Sequence, residues 1–195
     1  MKSLIHLAKV LVFGVSAGML GAQSGDIDSS NDPVAYNVSA ATLRAVPFKN
    51  ISYDLDDYWV TLRGGTRFQK SKEAGGTETR LERLWLFDFK DGVAQHALVW
   101  ITHMECGVSC SVTGYAFVFE LRNGKLVQVQ KFEFDGKDGD AGVKFDGARN
   151  TLTITGKSGK DASDCCASFL DVDTFAWKDG AFKETAHRQV RVNRS

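Results

Sequence analysis

Only two prolines interrupt this chain of 195 residues, and no part of it sustains a 3.6-residue apolar period. Helical architectures are thereby disfavoured. Net charge is also missing, with 24 basic residues set against 24 acidic ones. That balance argues against nucleic acid as a partner, which would call for a basic face. The sequence contains no Gly-x-Ser-x-Gly elbow, no His-Glu-x-x-His helix and no phosphate-cradling Gly-rich loop leading into a helix, so the common hydrolase, metalloprotease and nucleotide-binding signatures are absent. No repeat is strict enough to count propeller blades.

The longest apolar stretch, Val10 to Leu20, follows a basic Met1-Lys2 start and ends in small residues near Leu20-Gly21-Ala22. It is too short to span a bilayer and has the length of a signal peptide. A buried N-terminal helix would be weakened by Gly14, Gly18 and Gly21, at about 1 kcal/mol each. The expectation is a signal peptide over residues 1–22 and an exported chain, periplasmic or secreted, starting near Gln23. No Cys follows Ala22, so no lipid anchor is expected at that position. Loss of Lys2 and Lys9 leaves 22 basic residues against 24 acidic ones, a net charge of −2. About 170 residues suit one domain with a sizeable core. The expected organisation is a linker with a possible short helix (Pro33 to Ala45) over 23–45, a β domain over 46–190 and a basic tail at 191–195.

What the chain does have is glycine, 19 residues of it, much of it in turns. Arg63-Gly64-Gly65, Asp91-Gly92, Asn123-Gly124 and Asp179-Gly180 each lie between apolar or aromatic runs, the pattern of tight hairpins. Long polar segments alternate with them: Ser71 to Arg80, His103 to Ser111, Asp135 to Gly142 and Gly156 to Ser168. In an antiparallel meander such loops share one rim. Expected strands include Leu81 to Phe89, Ala94 to Thr102, Tyr115 to Arg122, Lys125 to Phe134, Phe169 to Trp177 and Ala181 to about Val190. Tyr115, Phe117, Phe119 and Leu121 should share one buried face. Val127 and Val129 change phase to Phe132 and Phe134, which requires a bulge near Gln130 to Lys131. Leu98 to Ile101 is apolar on both faces. The fold class is therefore all-β, an antiparallel meander of hairpins arranged as two packed sheets, a barrel or propeller-like blades.

All four cysteines, Cys106, Cys110, Cys165 and Cys166, lie in the polar loops. In an exported chain they are expected as disulfides. A bond between Cys106 and Cys110 with a vicinal second bond stays open, and cross-links between the two loops are favoured by the shared rim. Zinc could use His103 with these cysteines, although the spacing matches no zinc ribbon or finger. Asp135, Asp138 and Asp140 form a carboxylate-rich loop that lacks the ligand order of an EF-hand, which favours a solvated turn over a calcium site. A Cys106 and His103 nucleophile pair would lack an orienting third group. Asp171 and Asp173 share one strand face and could serve as acid and base, but an edge strand with a polar outer face accounts for them more simply. Trp59, Trp85, Trp100 and Trp177 are read as core rather than as a carbohydrate platform.

Several segments together carry a resemblance. Ala45-Val46-Pro47-Phe48-Lys49-Asn50-Ile51-Ser52-Tyr53, Trp59-Val60-Thr61-Leu62-Arg63-Gly64-Gly65, the Asp135 to Gly142 loop, and Asp164-Cys165-Cys166-Ala167-Ser168 before Thr174-Phe175-Ala176-Trp177 resemble a family of uncharacterised exported bacterial proteins. That family shows an Asn-x-x-Tyr opening, a Val-Thr-Leu-x-x-Gly hairpin, a Gly-Asp-rich loop and a Cys-Cys-Pro motif before a Thr-x-x-Tyr-x-Trp strand. The likeness covers about residues 45 to 185, and the chain is more loosely similar to the LppP/LprE lipoproteins. Ala167 stands where the family has Pro, and Phe89-Lys90-Asp91-Gly92-Val93 replaces a more acidic segment. The resemblance implies fold and export and supplies no catalytic residue.

The expected function is non-catalytic binding or scaffolding in the cell envelope, with no cofactor, an unidentified envelope or extracellular partner and no membrane span after signal removal. The candidate rim is His103, Asp135, Asp138 and Asp140 with the four cysteines. The rival expectation is a calcium or zinc protein, or a hydrolase, using that rim.

Overall fold

The computed structural model describes residues 27–56, 58–70, 75–107, 109–135, 142–158 and 168–192. The segment expected as a signal peptide, Asp138, Asp140, Cys165 and Cys166 lie outside them. The described chain is almost wholly strand: β1 (Asp28–Ser30), β2 (Val34–Ser39), β3 (Ser52–Asp54), β4 (Trp59–Thr61), β5 (Thr66–Lys70), β6 (Gly76–Lys90), β7 (Val93–Cys106), β8 (Cys110–Arg122), β9 (Lys125–Asp135), β10 (Gly142–Asp146), β11 (Thr151–Lys157), β12 (Phe169–Lys178) and β13 (Ala181–Arg191). Where the sequence suggested a linker with a short helix, β1 and β2 instead pair with β9, and among the described residues helical structure is limited to 3-10 turns at Leu43–Ala45 and Phe48–Asn50. The exposed outer edge of β9 offers a full row of backbone partners, which outweighs the weak helical tendency of the segment.

Strands β5 to β9 form the expected meander, extended by β1 and β2 into one sheet, and β10 to β13 form a second. β3 and β4 pair as a third, two-stranded sheet, and among the described residues no sheet closes on itself, so the structure is not a closed barrel. All four of the expected tight turns have positive φ at both central residues: Gly64 at 64° and Gly65 at 92°, Asp91 at 51° and Gly92 at 76°, Asn123 at 53° and Gly124 at 76°, Asp179 at 52° and Gly180 at 78°. That is type I′ geometry, whose twist matches the flanking strands.

The central sheet is covered on both faces. Successive residues of β8 point to opposite sides, so Tyr115, Phe117 and Phe119 enter one core while Ala116 and Val118 enter another. The first core is closed by the N-terminal segment through Tyr36, Leu43, Phe48, Tyr53 and Leu62. The second is closed by the smaller sheet through Leu152, Ile154, Phe175 and Phe182. The result is three layers. β7 follows the same logic, with Ala97, Val99 and Ile101 on one side and Leu98 on the other.

The bulge anticipated in β9 is present one residue earlier. Val118 faces Gln130 while Phe119 faces Gln128, which leaves Val129 as the extra residue. Its consequence is chemical, because it aims Gln128 and Gln130 into opposite cores. Gln128 accepts a hydrogen bond from the Tyr36 hydroxyl at 3.0 Å. Gln130 donates to the Phe182 carbonyl at 3.1 Å and accepts from the Phe182 amide at 2.8 Å. This buried amide thus satisfies backbone groups of β13 and ties the two sheets together.

Candidate functional site

β6, β7, β8 and β9 run past the first core toward the end opposite the Asp91-Gly92 and Asn123-Gly124 turns. Segments expected as loops are therefore partly strand: β6 already begins at Gly76, and His103 lies within β7. Here the face that carries Ile101 and Tyr115 lower down becomes polar. Register pairs Thr79 with His103, Thr77 with Glu105, His103 with Thr113, Thr113 with Asp135 and Tyr115 with Glu133, so all of these share one face. Polar alternation in this part of the sequence resembles a loop, yet the strand ladder continues because backbone pairing does not depend on apolar side chains.

The connection between β3 and β4 arches over this platform and is held at three points. Leu55 is buried in the first core. Asp56, with a φ of 68°, binds the ammonium of the buried Lys131. The Tyr58 hydroxyl lies 2.5 Å from His103 Nε2, and the Thr79 hydroxyl lies 2.7 Å from His103 Nδ1. Both ring nitrogens of His103 are thus engaged by hydroxyls, and the ring is 5 % exposed. This histidine fixes the arch to the sheet.

Beside the arch a cleft of about 310 Å³ opens, walled by Tyr58, Trp59, Arg63, Arg67 and Gln69 and floored by Thr77, Thr79 and His103. Trp59 is 51 % exposed, correcting its expected place in the core. Its indole is nonetheless positioned, edge-on to Tyr36 at 5.1 Å. Among the described residues no carboxylate lines the cleft, and none forms a salt bridge with Arg63 or Arg67.

On the other side of the arch lies a carboxylate pair. Burial, then a hydrogen bond and the charge of Asp56, push the Glu133 carboxyl up to about 7. Burial would also raise Asp56, but hydrogen bonds with Lys131 and Glu133 and the charge of Lys131 hold it below the usual carboxylate value. Between about pH 4.5 and 7 the folded state keeps a proton on Glu133 that the unfolded chain releases. Its contribution to stability is therefore present below that window and lost as pH rises through it. Relative to wild type, Glu133→Gln should gain about 1 kcal/mol between pH 5 and pH 8, a figure reduced for solvent screening. Urea unfolding at the two pH values checks this, and parallel pH responses of the two proteins would refute it.

Of the anticipated rim, the structure brings His103 and Asp135 onto one face, on either side of Thr113. Cys106 and Cys110 are bonded to each other across the β7–β8 hairpin, with Cα atoms 4.0 Å apart. The favoured cross-loop pairing is corrected, because register already places these two residues opposite one another. In the chain-entropy model so small a ring contributes about 2 kcal/mol. Both sulfurs are consumed, so neither is available as a nucleophile or as a zinc thiolate. Asp171 and Asp173 are also corrected. They lie on a central strand, 1 % and 3 % exposed, continuing the face of Phe175. His187 Nδ1 lies 2.5 Å from Asp173 Oδ1, and Gln189 donates to Asp171 at 3.3 Å. Burial raises the Asp173 carboxyl, and the hydrogen bond to Asp173 raises His187.

Sequence reasoning missed Tyr58, Trp59, Arg63, Arg67 and Thr79 as site residues. The usable signal was an aromatic pair immediately before a hairpin with a cation on each side of its glycines. Among the described residues no group of three His, Cys, Asp or Glu side chains is arranged to hold a metal ion, and no helix is long and apolar enough to cross a membrane. Comparison with protein-family models, curated proteins and solved structures finds no match to the chain.

Proposed function

We propose that this is an exported, non-catalytic binding protein of the cell envelope whose ligand occupies the cleft between the β3–β4 arch and the edge of the central sheet. The observation that carries this reading is the exposed but positioned Trp59 facing a pocket whose cations lack carboxylate partners among the described residues. Small-ligand sites commonly combine an aromatic wall with a few placed polar groups. The floor supports binding more than reaction, since the ring nitrogens of His103 are already spent on Tyr58 and Thr79. Export rests on the apolar N-terminal stretch and on the family resemblance.

A library of saccharides, amino acids and lipid headgroup analogues titrated into isotope-labelled protein tests the site. Shifts should concentrate at the Trp59 indole, Gln69 and Thr77 and disappear in Trp59→Ala. Shifts confined to other surfaces, or none at all, would end the cleft reading.

A further inference from the structure

We infer that the ligand of this cleft is a carboxylate-bearing oligosaccharide, an inference that rests on the cleft being the binding site. Three features converge on that chemistry. Arg63 and Arg67 both line the cleft, and among the described residues no acidic side chain lines it with them. A guanidinium presents a planar fork that matches a carboxylate through two parallel hydrogen bonds. Of the acids near the cleft in the register, Glu78 pairs with Arg80 at 2.6 Å, and Glu105, opposite Thr77 on the neighbouring strand, lies 3.4 Å from His103 Nε2.

The second feature is the indole of Trp59, held edge-on to Tyr36 with half its surface open. A flat aromatic face fixed in this way receives the C–H face of a sugar ring at little entropic cost. The third is the composition of the remaining lining, in which Gln69 and Thr77 offer amide and hydroxyl groups suited to sugar hydroxyls. A volume of about 310 Å³ is at the small end of ligand pockets and admits a short segment of such a chain.

The ligand is anionic, so its affinity should fall with salt and with loss of either arginine, whereas the aromatic contribution should not depend on ligand charge. Tetragalacturonate and its fully methyl-esterified form share one sugar backbone and differ in the carboxylate charge, each carboxylate being replaced by a neutral methyl ester, and are the probes. Binding to the oxidised protein is followed by calorimetry and by resonance shifts at Trp59, Gln69 and Thr77. Tetragalacturonate is expected to bind at the cleft, and to weaken about tenfold or more on esterification and in Arg63→Gln or Arg67→Gln. Trp59→Ala should weaken both forms, with unchanged melting curves showing that the variants are folded.

Equal affinity for the esterified form, still dependent on Trp59, would overturn the acidic class while leaving the cleft as the site. A polyglutamate peptide that shifts the same resonances when tetragalacturonate does not would overturn the saccharide and again spare the cleft. If none of the three probes moves those resonances, the inference fails. The cleft reading then stands or falls on the wider library.

Discussion

Phe119→Ala is expected to cost about 3–5 kcal/mol of stability, the range for removing a large, fully buried aromatic side chain. Phe119 is completely buried, and its ring lies 5.0 Å from Tyr36, 5.7 Å from Phe48, 6.1 Å from Tyr53 and 6.0 Å from Phe117. Three of those partners belong to the N-terminal segment that covers the sheet. The loss therefore measures whether that segment is a packed layer or an appendage. Urea unfolding of the oxidised protein supplies the number, with Phe89→Ala as the comparison. Phe89 is 57 % exposed, so its truncation should stay within about 0.5 kcal/mol. A loss below about 1 kcal/mol at Phe119 would mean that the first core is not assembled as described.

The second large effect comes from adding an atom. Gly114 sits opposite Phe134 on the neighbouring strand, and a Cβ built on it would lie 2.3 Å from two carbons of the Phe134 ring. The ring has little freedom to withdraw, because Phe134 is 2 % exposed and a Cβ on Gly156, in the other sheet, would come within 3.1 Å of the Phe134 Cβ. Phe134 is thus seated between two glycines, one in each sheet. Gly114→Ala should destabilise by about 1–3 kcal/mol through overpacking. Coupling identifies the cause: in a Phe134→Leu background the same substitution should cost distinctly less, and a double-mutant cycle reads the difference. Additive costs at the two positions would show that the ring does not occupy that space.

Much of the molecule was written locally. The Asp91-Gly92, Asn123-Gly124 and Asp179-Gly180 turns were legible because positive φ at two successive positions demands those residue types. The division of β8 between two cores followed from its alternation, and the bulge in β9 followed from the phase change between Val129 and Phe132. These features depend on neighbours a few residues apart, and their periodicity survives in one dimension. The all-β class rests on them.

What tertiary structure alone decided concerns partners distant in the chain. The polar upper half of β6 and β7 resembles a loop until the sheet is assembled, when Thr79 and His103 become neighbours and Tyr58 closes over them. Val34–Ser39 becomes a strand only because the outer edge of β9 is free to receive it. Asp171 and Asp173 alternate as a polar outer face would, yet they are buried because the pairing brings His187 and Gln189 beside them. Trp59 looks like core and stands at a cleft, since exposure of an aromatic residue depends on which layer ends beside it. A short-range pattern records how a strand alternates; which of its faces meets another layer, and where that layer stops, is settled only when the sheets pack.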